Sequence, residues 1–151
     1  MSRDDPRLLR QAIALSRRAR EEGNHPFGAL VVDHGGAVIA EAMNAHSASP
    51  LNHAEITVLR AAIRCADLAG ATLYSSAEPC AMCAGAAYWS GVSRVVYALA
   101  ECRLRELTGS DPRNPTLALP CREVFGRGQR SIEVIGPLLE DEAAETHRGF
   151  W

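Results

Sequence analysis

Lysine is missing from the 151 residues; all sixteen basic side chains are Arg. That absence removes a Schiff-base lysine, a phosphate-loop lysine and a lysine general base at once. A basic surplus is missing too. Eighteen acids leave a net charge of -2, which argues against a protein whose main work is coating nucleic acid. A membrane span needs ~20 apolar residues in a row. The longest uncharged stretch, residues 79–93, is fifteen residues and contains Gly, Ser and Pro, so no membrane partner is expected. The opening MSRDDPRLLR places charges where an export signal needs its apolar core, and a cytoplasmic location is the expectation. There is no internal repeat, low-complexity tract or linker to divide the chain. With 47% apolar and 23% charged residues, residues 1–151 read as one globular domain able to bury its own core.

Hydrophobic periodicity supplies the elements. Asp5 reads as a helix cap, with Pro6 in the first turn. Leu8, Leu9, Ala12, Ile13, Ser16 and Ala19 follow at helical spacing until Gly23. Residues 27–32 and 37–43 are β-prone runs around Asp33-His34-Gly35-Gly36, which is a hairpin signature. Helical patterns cover residues 53–65, the run from Pro79 to Gly91, and residues 101–107 and 138–147. Strands are predicted over 72–76, 92–99 and 131–135. Residues 110–129 show little periodicity and receive no element. The order α-β-β-α-β-α-β-α-β-α predicts an α/β fold, a mixed sheet with helices on both faces.

Five cysteines is an odd number, and two of them form Cys80-Ala81-Met82-Cys83. Without an export signal, that spacing favours metal or redox work over a disulfide framework. Cys80 and Cys83 lie three apart at a helix start, so their sulfurs share a face and can grip one ion. The helix dipole there favours thiolate. His53 also opens a helix, and neutral imidazole is the natural third ligand for Zn²⁺. Three protein ligands leave a fourth position for water. Two thiolates cancel the ion's charge, so its water needs a carboxylate base beside it, and Glu55 is placed to be that base. Two alternatives stay open: a thioredoxin-type redox pair, and a closed structural zinc completed by Cys102, Cys65, His25 or His46.

His53-Ala54-Glu55 followed by Pro79-Cys80-x-x-Cys83 is the signature of the zinc deaminases. From about residue 26 to residue 98 the chain resembles the cytidine-deaminase-like superfamily. The resemblance implies a three-layer α/β/α fold with a five-stranded mixed sheet, and a zinc-dependent hydrolytic deaminase that releases ammonia. Pro26-Phe27-Gly28-Ala29 and Asn44 are similar to the guanine-deaminase and tRNA-adenosine-deaminase branch. The run Cys83 to Trp89, with Tyr88-Trp89 after the second cysteine, is closer to guanine deaminase. That resemblance implies that Asn44 hydrogen-bonds the substrate ring, that Phe27 and Trp89 form apolar walls, and that the backbone amide of Ala54 orients the base. It also implies that the tail ending in Phe150 and Trp151 covers the pocket. The chain departs from both branches at Pro50-Leu51-Asn52, at Ala77 and over residues 101–130, which bears on the substrate rather than on the zinc.

The expected substrate is therefore a free nucleobase-type purine such as guanine. The alternative is tRNA adenosine, which predicts an arginine-rich C-terminal helix. Residues 132–151 hold only Arg148 against acids at 133, 140, 141, 142 and 145, so a nucleic-acid partner is not expected. A third reading is a zinc-stabilised, catalytically silent binding module. The tail acids read as a solvated face, with Glu145 the one placed to reach in as a proton shuttle. Cys65 and Cys121 read as buried, Cys102 as exposed, His34 as solvent-facing and Glu78 as an acceptor for backbone amides. His25 and His46 flank the site. A homodimer is expected, with the C-terminal segment open to exchange between subunits.

Overall fold

The computed structural model describes residues 1–151. In chain order the elements are α1 (Asp5–Glu21), β1 (Gly28–Val32), β2 (Val38–Met43), α2 (Ala54–Cys65), β3 (Thr72–Ala77), α3 (Ala81–Ser90), β4 (Arg94–Leu99), α4 (Glu101–Thr108), α5 (Cys121–Gly126), β5 (Glu133–Ile135) and α6 (Glu140–Glu145). The strands form one five-stranded sheet in the order β2-β1-β3-β4-β5. β1 pairs antiparallel with β2 and β3, whereas β3-β4 and β4-β5 are parallel. This is the expected mixed sheet. The one element missed by periodicity is α5, whose six residues are too few for a helical repeat to show.

Strand alternation divides the core in two. Ala29, Val31, Leu73, Val95 and Tyr97 face one side, where they pack with residues of α2, α3 and α5. Leu30, Val32, Tyr74, Val96 and Ala98 face the other, where they meet α1, α4 and α6. Helices thus cover both faces, and the layers are α/β/α. Gly28 is where α1 comes closest to the sheet. A Cβ added there would lie 2.4 Å from the Ala12 carbonyl oxygen and 2.5 Å from the Leu15 Cβ. Only glycine lets the helix settle at this depth. The hairpin pairing slips between Val31 and Val32, which places a bulge near the turn.

Asp5 is not the cap that the sequence suggests. Asp4 occupies the cap position, and Asp5 is fully buried. Its carboxylate accepts hydrogen bonds from the Ser2 amide (2.7 Å), the Ser2 hydroxyl (3.0 Å), the Tyr74 hydroxyl (2.7 Å) and both terminal nitrogens of Arg94 (2.8 and 2.6 Å). One carboxylate therefore ties the N-terminus to β3 and β4. Burial opposes its ionisation, but Arg94 and Tyr74 outweigh that and hold it well below the usual carboxylate range. A depressed folded pKa contributes stability above about pH 4 and loses it as the pH falls further. Asp5→Asn should cost about 3 kcal/mol, as expected when one partner of a buried ion pair is removed. The loss should be measurable by urea denaturation at pH 7 and should shrink toward zero in strong acid; a pH-independent loss would contradict this account.

Candidate active site

His53 and Cys80 are the residues immediately before α2 and α3, and both have extended backbones. Cap positions favour Ser, Thr, Asp or Asn, whose side chains satisfy the first helical amides. Neither the imidazole nor the thiol does so. Both side chains instead turn toward each other. His53 Nδ1 lies 3.6 Å from Cys80 Sγ and 3.4 Å from Cys83 Sγ. The three ligand atoms all lie within 4.8 Å of one another. A tetrahedral zinc with its usual bond lengths separates nitrogen from sulfur by about 3.5 Å. The donor set and its spacing fit zinc, and the protein supplies three ligands for it.

The protons in this cluster are shared. The hydrogen bond from the Cys83 thiol leads in drawing Cys80 down to about 4, against the cost of burial and with help from His53. Cys83, as the donor, is pushed well up, and burial adds to that. The hydrogen bond with Cys80 pushes His53 up.

Glu55 lies in the first turn of α2 and is buried beside this cluster. The Ser75 hydroxyl donates to its Oε1 at 2.7 Å, while Oε2 is 3.6 Å from Cys83 Sγ. Burial pushes its pKa up, and the neighbouring Cys80 thiolate adds to the effect. One oxygen is thus tethered and the other faces the ligand cluster.

Above the cluster is a cavity of about 350 Å³ whose lining includes Phe27, Asn44, His25, His46 and residues 113–117. The Asn44 side-chain oxygen accepts from the His46 amide at 2.8 Å, which fixes its NH₂ as the free end. His25 and His46 stack with centroids 4.0 Å apart. Burial, followed by the charge of His46, lowers His25 to about 4. Ala54 is the first residue of α2, where an amide has no acceptor in its own helix. The tail docks on its own chain. Trp151 Nε1 donates to His147 Nδ1 at 3.0 Å, and Trp151 and His147 pack against Phe27. Phe150 and Trp151 therefore back the cavity wall without lining it.

Three expectations are corrected. Trp89 is 85% exposed and does not line the cavity. It lies nine residues beyond Cys80, about 13 Å along a helix axis. Glu145 does not reach in; it pairs with Arg148 at 2.8 Å on the surface of α6. Cys65, at the end of α2, is exposed, unlike the buried Cys121. Cys102 is exposed, and Glu78 accepts from the amides of Glu101 and Cys121.

Sequence reading missed Ser75, although a Ser75-Ser76 pair in an otherwise apolar strand was a usable sign. It also missed Glu101, which lines the cavity and is pushed up to about 7 by burial and then by Cys80.

Residues 2–99 match the cytidine and deoxycytidylate deaminase zinc-binding region. A probable cytosine deaminase of Schizosaccharomyces pombe is 41% identical over 153 residues, covering 100% of this chain and 94% of its own length. A solved guanine deaminase from Nitrosomonas europaea superposes with a TM-score of 0.77 at 30% identity, covering 93% of this chain and 81% of that one. A solved structure from work on tRNA:A34 deaminases gives 0.74 at 29% identity, covering 93% and 99%.

Zinc uptake must strip the proton from Cys83, so it should release acid, and affinity should fall as the pH is lowered. Atomic absorption should find one ion per chain. Cys83→Ala or His53→Ala should weaken retention beyond the 10–100-fold typical of changes outside the ligand set. A full complement of zinc in either variant would exclude this triad.

Proposed function

The chain belongs to the cytidine and deoxycytidylate deaminase zinc-binding family, and on that premise we propose that it hydrolytically deaminates a free nucleobase. The observation that carries this reading is the Glu55 carboxylate, tethered at one oxygen by Ser75 and turned by the other toward the His53-Cys80-Cys83 cluster.

Zinc held by His53, Cys80 and Cys83 would supply the Lewis acidity that makes a water molecule easier to deprotonate. Glu55 Oε2 takes that proton and delivers it to the ring nitrogen next to the amine-bearing carbon as the water oxygen adds there. The remaining proton of the added hydroxyl passes through the same carboxyl to the amine, the C–N bond breaks as that oxygen becomes the ring carbonyl, and ammonia leaves. Ser75 holds Glu55 in register during both transfers. Asn44 presents its NH₂ to the ring, Phe27 gives it an apolar wall, and the Ala54 amide adds a donor.

Cytosine is the leading substrate because the relative aligned along the whole chain is named a probable cytosine deaminase. Guanine, the expectation from sequence, is the second reading, favoured by the structural likeness to a guanine deaminase. A free base is preferred to tRNA because the tail packs against the cavity wall and α6 opens with Glu140, Asp141 and Glu142, a poor surface for phosphates. The homodimer belongs to the same proposal: Trp89 would be covered by a second copy.

Assays of ammonia release should find turnover with cytosine or guanine and none with a tRNA anticodon stem. Glu55→Gln should keep its zinc and lose about 10²–10⁴-fold in kcat. Ser75→Ala should fall between Glu55→Gln and the parent; undiminished turnover in Glu55→Gln would remove the assignment. Trp89→Arg should convert a dimer to a monomer by light scattering, and an unchanged mass would remove Trp89 from the interface.

A further inference from the structure

Three buried side-chain polar atoms have no hydrogen-bond partner: Gln11 Oε1, Asn114 Nδ2 and Thr116 Oγ1. The last two belong to residues of the cavity wall, on a segment with no regular structure. Burying such a group unpaired forfeits its hydration with nothing in return. Two within three residues, both beside the same cavity, make a local cost that a bound partner would relieve.

The backbone explains why they act together. Asn114 closes a turn, its amide donating to the Asp111 carbonyl at 3.1 Å, and Pro115 biases it away from a helical backbone as the chain runs on. In an extended chain, residues two apart point to the same side. Burial follows that alternation, with Asn114 and Thr116 half-buried while Pro115 and Leu117 are exposed. The segment is also anchored. The Arg113 guanidinium pairs with Asp111 at 2.7 Å, donates to the Phe150 carbonyl at 2.8 Å, and lies over the rings of Phe150 and Trp151.

Asn114 Nδ2 and the Thr116 hydroxyl both donate. A carbonyl oxygen has two lone pairs and can accept from both at once, whereas a ring nitrogen has one. We propose that Asn114 and Thr116 together bind a ring carbonyl oxygen of the substrate, and so select amino-oxo heterocycles over aminated rings that carry no oxygen. This rests on the reading of the cavity as a free-base site and adds its selection rule: cytosine and guanine qualify, and adenine does not.

The test uses zinc-loaded Glu55→Gln protein, in which the ring is not consumed, alone and combined with Thr116→Val or Asn114→Leu. Calorimetry compares cytosine with 4-aminopyrimidine and guanine with 2-aminopurine, pairs that differ by the ring oxygen. The parent should prefer the oxygen-bearing member. Each added substitution should cut that preference about fivefold or more, the worth of one hydrogen bond, and leave the oxygen-free member unaffected. Because each removes an unpaired polar group, Tm should hold or rise. A preference unchanged in both variants, a loss shared equally by both members of a pair, or no binding of any ring by the parent would overturn the proposal. Chain with Glu55 intact is assayed in parallel for ammonia. Its silence, alongside a carbonyl preference that the substitutions abolish, would refute deamination and leave the selection rule standing; ammonia release with an insensitive preference would do the reverse.

Discussion

Two helices start at the same point in space, and each uses its cap residue for something other than capping. His53 and Cys80 leave the first amides of α2 and α3 without side-chain acceptors, although satisfying those amides usually contributes about 1 kcal/mol per helix. What is gained is a compact nitrogen-sulfur-sulfur triangle with a carboxylate at its edge. The connections into both helices, the depth of β3 and the course of the chain after β2 are all constrained by the need to bring these two starts together.

The sheet makes that meeting reproducible. β3 is a central strand paired on both sides, and its C-terminal end leads through Glu78 and Pro79 into Cys80. Glu78 then fastens two later segments by accepting from the amides of Glu101 and Cys121. Ser75, two residues before Ala77 on the same strand, tethers Glu55. A single strand therefore positions Cys80, the Glu55 carboxylate and the loops that wall the cavity. At Gly28 the close approach of α1 holds the start of β1, and with it Phe27, against that end of the sheet.

Much of this was legible in the sequence because it is written in local spacing. The short, continuously buried runs of β1, β3 and β4 and the three-residue spacing of Cys80 and Cys83 need no tertiary knowledge. What escaped was non-local. Asp5 looked like a cap because it precedes Pro6, yet its partners Tyr74 and Arg94 are far along the chain. Trp89 looked like a pocket wall because it follows the cysteines closely, but a helix carries a residue away as readily as it brings one near. Glu145 looked like a shuttle on the strength of the tail's folding back; the tail does fold back, and the glutamate faces Arg148. Residues 110–120 hold their positions through Arg113 and the tail, a contact that no window of sequence contains.

The two margins of the sheet carry a consequence of their own. β5 has three residues and is followed by Gly136-Pro137, so its outer side offers little to pair with and then a position with no amide proton. On the opposite margin the bulge beside Val32 kinks the hairpin, and the charge of Glu41 falls midway along β2. Short length, local twist and charge are the features by which open sheets resist recruiting foreign strands. Neither margin of the open sheet is thus a long, regular and uncharged template for a foreign strand.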